Sequence, residues 1–376
     1  MTSVYLPKTT NHCPIDFQSW LKEGLILQTN TQILLGEGPL LTSNRPGQGF
    51  FHPDFFFEKK KPWIFPKKTF STTRTLIEQW LDDAITKHPS IAKKPIFHQT
   101  HREDFHQPQK ITEQPSFTEF HTVFAQLQQK INQGILKKGV PVFFENRNEK
   151  IPFPYLLQAL LKKTATINRE GFLYGIWNSK KGLLGFSPEM LFSFSEKELS
   201  LMALAGTGPW LGPSLLHDPK EMQEHQWVIQ SIKESLKDLA IWNDSPTQEK
   251  KFGSLKHLHT KIKGTLKQPA DFTFLCKKLH PTAALGGFPK QAALHWLKET
   301  PHQKNRGYFG APFGYFDGKT NGFCLIALRG IEWNPQGLQI GAGCGLVKNS
   351  ILQKEWRELT LKRNQIKQFF HLIPQP

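Results

Sequence analysis

A series of short apolar runs between residues 140 and 205 constrains the fold more than any other feature of the sequence. Each run has the length of a β-strand and is bounded by glycines or polar turn residues. The runs cover residues 140–144, 171–177, 183–186, 190–194 and 199–205. Helical patterns lie among them without strict β-α-β alternation. The sequence therefore predicts an α+β fold built on antiparallel sheets.

Five segments have the apolar spacing of amphipathic helices. The clearest covers residues 116–131, where Ser116 and Glu119 form a capping box and Phe120 and Leu127 share one face. The other helices are predicted at 75–83, 221–239, 289–300 and 353–371, and two strands are predicted within 306–347. A polar stretch rich in His, Gln and Pro, residues 89–116, is the best candidate for a linker or surface excursion.

Cysteine usage and hydropathy suggest a cellular compartment. The four cysteines are widely scattered and form no CxxC pair, which argues against a disulfide scaffold or a cysteine zinc site; they are Cys13, Cys276, Cys324 and Cys344. Residues 1–22 contain no apolar signal-peptide core, and no run approaches the roughly 20 apolar residues of a membrane span. We expect a cytosolic protein without a membrane partner.

The chain of 376 residues has a formal net charge of +17, which raises nucleic acid, an anionic membrane or an anionic substrate as partners. The lysines are spread along the chain, and the densest basic stretch is residues 55–68, where aromatic residues alternate with lysines. Such a stretch could stack single-stranded bases or form an edge strand with a solvated turn. Because prolines interrupt it, we favour the edge strand and expect no nucleic-acid partner.

Two Glu-x-x-Glu pairs stand on predicted helices, Glu221 with Glu224 and Glu355 with Glu358. A spacing of three residues puts both carboxylates of a pair on one helix face, where like charges repel. Four carboxylates from two helices could bind Mg²⁺, a hard cation that prefers oxygen ligands. On spacing alone, two solvated helix faces are the more common explanation.

Glycines, histidines and one arginine give weaker signals. Residues 341–345 place a glycine at every second position, so backbone amides there could approach a carboxylate closely. His257 and His259 could bind zinc, but no third ligand has metal-site spacing, and a structural or substrate-contacting role is more common. Arg329 ends an apolar run, and a buried arginine needs an anion.

Taken in order, these segments resemble the chorismate-utilising enzymes, which include isochorismate, salicylate, anthranilate and aminodeoxychorismate synthases. The match covers about residues 116–371 and rests on seven motifs at family-like spacing. They are Gly185-Phe-Ser-Pro-Glu189, Leu204-Ala-Gly-Thr207, Asp218-Pro-Lys-Glu-Met-Gln-Glu-His225, Leu279-His-Pro-Thr282 with Gly286-Gly-Phe-Pro289, Ala327-Leu-Arg329, Gly343-Cys-Gly345-Leu-Val, and Glu355-Trp-Arg-Glu358 with Lys362.

The resemblance implies two stacked antiparallel sheets wrapped by helices, with chorismate as substrate and Mg²⁺ as cofactor. It implies that Glu224 and Glu358 bind the metal directly and that Glu221 and Glu355 act through water. The positions that match substrate-binding residues of the family are Gly206, His257, Arg329, Gly343, Gly345 and Lys362. We expect residues 116–371 to form the chorismate-binding catalytic domain, and the strand-rich residues 1–115 to pack into the same body.

The nucleophile separates the branches of the family. Ala205 stands where aminodeoxychorismate synthases typically carry a lysine, whereas Lys138 follows Gly134 as the base of the water-using isochorismate synthases does. We therefore expect an isochorismate synthase in which Lys138 deprotonates the water that attacks C2. Glu189 would protonate the leaving C4 hydroxyl and needs a raised pKa to do so.

Several alternatives remain open at the level of the sequence. The base could be Lys137, and the chain could instead be the chorismate-aminating subunit of aminodeoxychorismate or anthranilate synthase, or a basic binding protein on a degenerate scaffold. The expected product would serve menaquinone or siderophore biosynthesis. We expect a monomer.

Overall fold

The computed structural model describes residues 15–93, 112–113, 115–167, 170–269 and 271–373. The α-helices in these ranges are α1 Phe17–Lys22, α2 Arg74–Lys87, α3 Phe117–Asn132, α4 Phe153–Thr164, α5 Pro219–Ser235, α6 Phe272–Leu279, α7 Lys290–Glu299, α8 Pro301–Lys304 and α9 Leu352–Phe369. The strands are β1 Gly24–Gln28, β2 Ile33–Ser43, β3 Gly49–Phe51, β4 Trp63–Thr72, β5 Thr112–Glu113, β6 Lys138–Gly139, β7 Val142–Arg147, β8 Phe172–Trp177, β9 Gly182–Ser187, β10 Met190–Ser195, β11 Glu198–Pro209, β12 Ala240–Asp244, β13 Gln248–Phe252, β14 Leu255–Leu266, β15 Gly287–Phe288, β16 Pro312–Phe316, β17 Asn321–Ile326, β18 Gly330–Asn334, β19 Gly337–Gly343 and β20 Leu346–Val347.

The strand pairings in the described part of the chain are antiparallel and form two runs of sheet. The first run has the order β4-β2-β1-β8-β9-β18-β19-β7-β5. The second has the order β3-β16-β17-β10-β11-β14. On the outer edge of β14, β13 pairs with residues 255–259 and β12 with residues 262–266. Strand β3 also pairs with β4 and so joins the two runs. A separate small sheet consists of β15, β6 and β20.

The side chains of these strands divide the interior into three hydrophobic clusters. In β1, Leu25 and Leu27 face an inner cluster, whereas Ile26 faces an outer one, because successive strand residues point to opposite faces. The inner cluster contains Tyr174 from the first run and Leu325 from the second, so the two runs are stacked. The outer clusters lie beneath the helices. The predicted α+β fold, two stacked antiparallel sheets wrapped by helices, is confirmed.

All five predicted helices are present with shifted ends. At α3 the hydroxyl of Ser116 accepts from the Glu119 amide at 3.0 Å and the Glu119 carboxylate accepts from the Ser116 amide at 3.2 Å, which confirms the capping box. The prediction of two strands within 306–347 was wrong, because β16 to β19 and the short β20 lie there. The strands form two hairpins, β16–β17 with Gly318 (φ +78°) in its turn and β18–β19 with Gly337 (φ +142°) directly after its turn.

Strands from the N-terminal third belong to the same sheets as the rest of the chain, since β1 pairs with β8 and β3 pairs with β16. The division at residue 115 stays a prediction: most of the predicted linker, residues 94–111 and 114, lies outside the described residues, as does Cys13. Within residues 55–68, the rings of Phe55 and Trp63 are buried in a core. Strand β4 pairs with β2 on one side, and its first two residues pair with β3 on the other.

Within the described ranges, no helix is long and apolar enough to cross a membrane. The three described cysteines are free and buried.

Candidate active site

Lys138 lies at the centre of the small sheet of β6, β15 and β20. Its side chain is fully buried, and its Nζ lies 3.0 Å from Oε1 of Glu224 on α5. Gly345, just before β20, leaves the space for this pair: a Cβ there would lie 2.8 Å from Cε of Lys138 and would also clash with the Glu224 carboxylate. The neighbouring Lys137 points elsewhere, with its Nζ 4.6 Å from the ring centre of Trp227.

Three of the predicted carboxylates converge on one ammonium group. The Nζ of Lys220 lies 2.9 Å from Glu221, 3.3 Å from Glu224 and 3.0 Å from Glu355. These glutamates are 8%, 6% and 2% exposed, respectively. The spacing-based expectation of two solvated helix faces was therefore wrong, because α5 packs on β11 and α9 on β19, which buries three of the four carboxylates and brings Lys220 into contact with Glu355.

The buried carboxylates differ in acidity because their neighbours differ. Burial alone would raise the pKa of Glu224, but Lys138 and Lys220 outweigh it and lower that pKa to about 2. Burial raises the pKa of Glu221 to about 7, with the charge of Glu224 adding to the rise. Burial likewise raises the pKa of Glu355 to about 7, against the opposing charge of Lys220. The cluster therefore contains one carboxyl with a lowered pKa, Glu224, and two with a raised pKa, Glu221 and Glu355.

Glu358, the fourth carboxylate, lies one helical turn before Lys362 on α9. The Lys362 ammonium donates to Glu358 at 2.6 Å and to the backbone carbonyl of Gly343 at 2.9 Å. Lys362 thus connects α9 to the glycine-rich end of β19. Among the described residues, no three acidic, histidine or cysteine side chains converge closely enough to hold a metal ion by themselves.

Glu189 lies in the turn between β9 and β10 and is 3% exposed. Its backbone is held on both sides: its amide donates to the Ser187 hydroxyl at 3.2 Å, and its carbonyl accepts from the Ile326 amide at 3.1 Å. Burial raises the pKa of its carboxyl to about 8, although Lys138, Arg329 and Lys362 oppose the rise. The raised pKa that an acid role requires is therefore present.

His257 on β14 has a defined protonation state. Its Nδ1 lies 2.9 Å from the carbonyl oxygen of Gly206, which can only accept, so Nδ1 carries the proton. Its Nε2 lies 3.5 Å from Nη2 of Arg329, which can only donate. Burial, together with the charges of Arg329 and Lys362, holds the pKa of His257 well below its ordinary value. The imidazole is neutral, and its Nε2 is a hydrogen-bond acceptor.

Arg329 adopts a left-handed backbone conformation, φ +55°, between β17 and β18. Non-glycine residues rarely adopt this conformation, which is common at functional sites. The side chain is fixed by Gln365 of α9, whose Oε1 accepts from Nε of Arg329 at 3.1 Å. The Gln365 amide in turn donates to the Phe252 carbonyl at 2.8 Å. The guanidinium is thus positioned by a buried side chain of another element.

These groups surround one cavity with an empty volume of about 600 Å³, including its opening to solvent. Its lining contains most of the residues that the resemblance predicts for substrate and chemistry, which are Glu189, Gly206, Glu224, His257, Arg329, Gly343, Gly345 and Lys362. Apolar side chains complete the walls, including Leu204, Leu285, Phe309 and Leu328. Lys138 is not among the lining residues, but its ammonium contacts Glu224, which is. The cavity wall thus combines two cations, Arg329 and Lys362, with carboxyl groups and apolar side chains.

Two residues of the site were absent from the sequence prediction. Lys220 is four residues before Glu224, a spacing that is typical of helical ion pairs and could have indicated it. Gln365 follows Lys362 by three residues and so lies on the same helix face, but its contact with Arg329 connects distant segments. His259, which the sequence placed beside His257, is not among the residues lining the cavity.

The chain that forms this site matches a known family of enzymes. The family model described as "Chorismate binding enzyme" matches residues 42–371. The chain belongs to that family.

Curated relatives are similar over part of their length. The salicylate biosynthesis isochorismate synthase of Pseudomonas aeruginosa is 35% identical over 202 residues, which cover 50% of this chain and 42% of the relative. Isochorismate synthase MenF of Bacillus subtilis is 29% identical over 220 residues, covering 56% and 46%. The chain thus spans about half the length of the curated relatives it matches.

A solved structure extends the likeness of the fold to almost the whole chain. The putative 2,3-dihydroxybenzoate-specific isochorismate synthase DhbC from Bacillus anthracis superposes with a TM-score of 0.74 at 20% identity. The superposition covers 94% of this chain and 97% of that one. At this identity the likeness concerns the fold.

Proposed function

We propose that this protein is an isochorismate synthase, which converts chorismate to isochorismate by adding water at C2 and expelling the C4 hydroxyl. The observation that carries the proposal is that one cavity is lined by Glu189, a buried and weakly acidic carboxyl, and by Glu224, which the buried Lys138 ammonium contacts at 3.0 Å. An isomerisation that removes one proton and supplies another needs one base and one acid. The relatives named as isochorismate synthases support the same reaction.

Lys138 would act as the base. It can take a proton from water only as the neutral amine, so its ion pair with Glu224 at 3.0 Å must loosen before the attack. Lys137, the alternative base, is held over Trp227 away from the cavity. The geometry therefore favours Lys138.

Glu189 would act as the acid. With a pKa of about 8, its carboxyl is mostly protonated at neutral pH and can donate to the departing hydroxyl. Its carboxylate is then the base for the reverse reaction, because one acid and one base serve both directions. His257 would accept a hydrogen bond from a substrate hydroxyl at its unprotonated Nε2.

The substrate's carboxylates would bind to the cations that line the cavity. Arg329 offers a guanidinium that Gln365 holds in place, and Lys362 lies beside the backbone of Gly343. The absence of a side chain at Gly206, Gly343 and Gly345 lets backbone groups approach an anion closely.

The carboxylate cluster fits Mg²⁺ by its chemistry. The donors are hard carboxylate oxygens, and Oε2 of Glu355 is buried without a hydrogen-bond partner, so it is free to accept from a bound water. We propose that Glu224 and Glu358 hold the ion directly and that Glu221 and Glu355 hold it through water. When bound, Mg²⁺ would neutralise the ring carboxylate of chorismate.

Incubation of the pure protein with chorismate and Mg²⁺, with and without ammonium, tests the reaction. We expect isochorismate by chromatography under both conditions, and the same product mixture when isochorismate is the starting material. Anthranilate or an aminochorismate formed only with ammonium, and no isochorismate without it, would instead assign the chain to the aminating branch. Ala205 provides no amine at the position where aminodeoxychorismate synthases typically carry a lysine.

We further propose that the product serves menaquinone or siderophore biosynthesis and that the protein works as a cytosolic monomer. Complementation of bacterial strains that lack one pathway or the other would identify the pathway. Size-exclusion chromatography with light scattering would measure the oligomeric state.

A further inference from the structure

The inference concerns Lys220, which the proposed mechanism does not use. We infer that the Lys220 ammonium occupies the cation position of the carboxylate cluster in the metal-free protein, and that a divalent ion binds by exchanging with it. This inference rests on the proposed role of the cluster in metal binding. It makes Lys220 a positioning residue that sets the metal affinity.

The contacts of Lys220 are those of a bound cation. The Lys220 ammonium donates hydrogen bonds to Glu221 and Glu224, and the Glu355 carboxylate lies 3.0 Å from the same Nζ as an ion pair. The three glutamates come from two helices, α5 and α9, as the proposed metal ligands do. Their combined charge raises the pKa of Lys220 well above its ordinary value despite burial. The ammonium thus screens carboxylates that would otherwise repel one another.

The same contacts prevent simultaneous metal binding. Glu224 already faces two ammonium groups, Lys138 at 3.0 Å and Lys220 at 3.3 Å. Mg²⁺ requires oxygen ligands at about 2.1 Å, so an ammonium at hydrogen-bond distance from the same oxygen would lie within about 4 Å of the ion, where the two cations repel each other strongly. An incoming ion must therefore displace Lys220 from Glu224.

The Lys220 ammonium can move out of the carboxylate cluster toward solvent. Its side chain is 15% exposed, whereas that of Lys138 is fully buried, so Lys220 alone of these two lysines has a path to solvent. Its position in the first turn of α5 also favours departure, because the helix dipole is unfavourable to a cation at an N-terminus. A flexible four-carbon stem allows the ammonium to move outward without any change in the backbone.

The test measures metal affinity directly, with Mn²⁺ as a spectroscopic probe and electron paramagnetic resonance as the readout. We expect Lys220→Met to bind Mn²⁺ about tenfold more tightly or better, because a competing unit charge within 4 Å of the ligands is removed. Lys233→Met is the matched control, since Lys233 lies on the same helix and pairs with Asp244 at a more exposed position. It should leave the affinity unchanged.

A second measurement uses the wild-type protein, in case Lys220→Met does not fold. Acetylation of lysines by a water-soluble reagent, followed by mass spectrometry, should modify Lys220 faster with saturating Mg²⁺ than without it. Unchanged or weaker Mn²⁺ binding by Lys220→Met, or labelling that Mg²⁺ does not accelerate, would overturn the exchange while leaving the metal site in place. Wild-type protein that binds no Mn²⁺ would overturn the exchange together with the proposed metal.

Discussion

Replacing Glu189 with glutamine should make the protein more stable and less active, and the gain in stability should depend on pH. Burial raises the pKa of this carboxyl from its ordinary 4.5 to about 8, so the folded state binds the proton more tightly than the unfolded state does. For a raised pKa, the contribution to stability is present at low pH and is lost as pH rises towards 8. Glutamine has nearly the same shape and no proton to lose.

The magnitude follows from the two pKa values. Their difference corresponds to about 5 kcal/mol of unfolding free energy once the pH exceeds 8. At pH 5 the penalty is below about 1 kcal/mol, because the carboxyl is neutral in the folded protein and the pH is only half a unit above its ordinary pKa of 4.5 in the unfolded chain. The stability advantage of Glu189→Gln should therefore grow by about 4 kcal/mol between pH 5 and pH 9. Glu221 and Glu355 remain in both proteins, so their contributions cancel.

Urea denaturation of wild type and variant at pH 5, 7 and 9 measures this difference. Glu299→Gln is the control, since the side chain of Glu299 is 60% exposed and its replacement should change the difference little. The same Glu189→Gln sample should lose about a hundredfold or more in isochorismate formation, the usual contribution of a general acid. A stability advantage that is the same at pH 5 and pH 9 would refute the raised pKa, and full activity would refute the acid role.

Three further changes test the rest of the site. Lys138→Ala should abolish isochorismate formation while the circular dichroism spectrum is retained, whereas Lys137→Ala should stay active; the opposite result would move the base to Lys137. Glu358→Gln should raise the Mg²⁺ concentration for half-maximal rate about tenfold or more, because an amide is a poorer Mg²⁺ ligand, and an unchanged Mg²⁺ dependence would contradict the ligand role. Gln365→Leu should raise KM for chorismate about tenfold with little change in kcat, because Arg329 loses the acceptor that fixes its guanidinium; a KM equal to that of wild type would show that Arg329 needs no such support.

The sequence by itself determined the local structure and the composition of the site. Capping at Ser116, apolar spacing in the helices and strand-length runs bounded by glycine are encoded over a few residues, so they could be predicted with only their ends in error. Ordered motifs likewise indicated Glu189, Glu224 and Arg329 as site residues. The hairpins after residue 311 were missed because their strands are short and their turns are compact.

Only the tertiary structure decided which of these groups meet and in what state. The spacing of the glutamate pairs could not distinguish solvated helix faces from a buried cluster, since burial depends on how α5 packs on β11 and α9 on β19. The different positions of the two lysines likewise follow from tertiary structure, because Lys138 contacts Glu224 whereas Lys137 lies over Trp227. The partner of Arg329 is Gln365, 36 residues further along the chain. A pKa depends on desolvation and on charges from distant segments, so the raised pKa of Glu189 arises only in the folded protein, where the sheets and helices enclose its carboxyl.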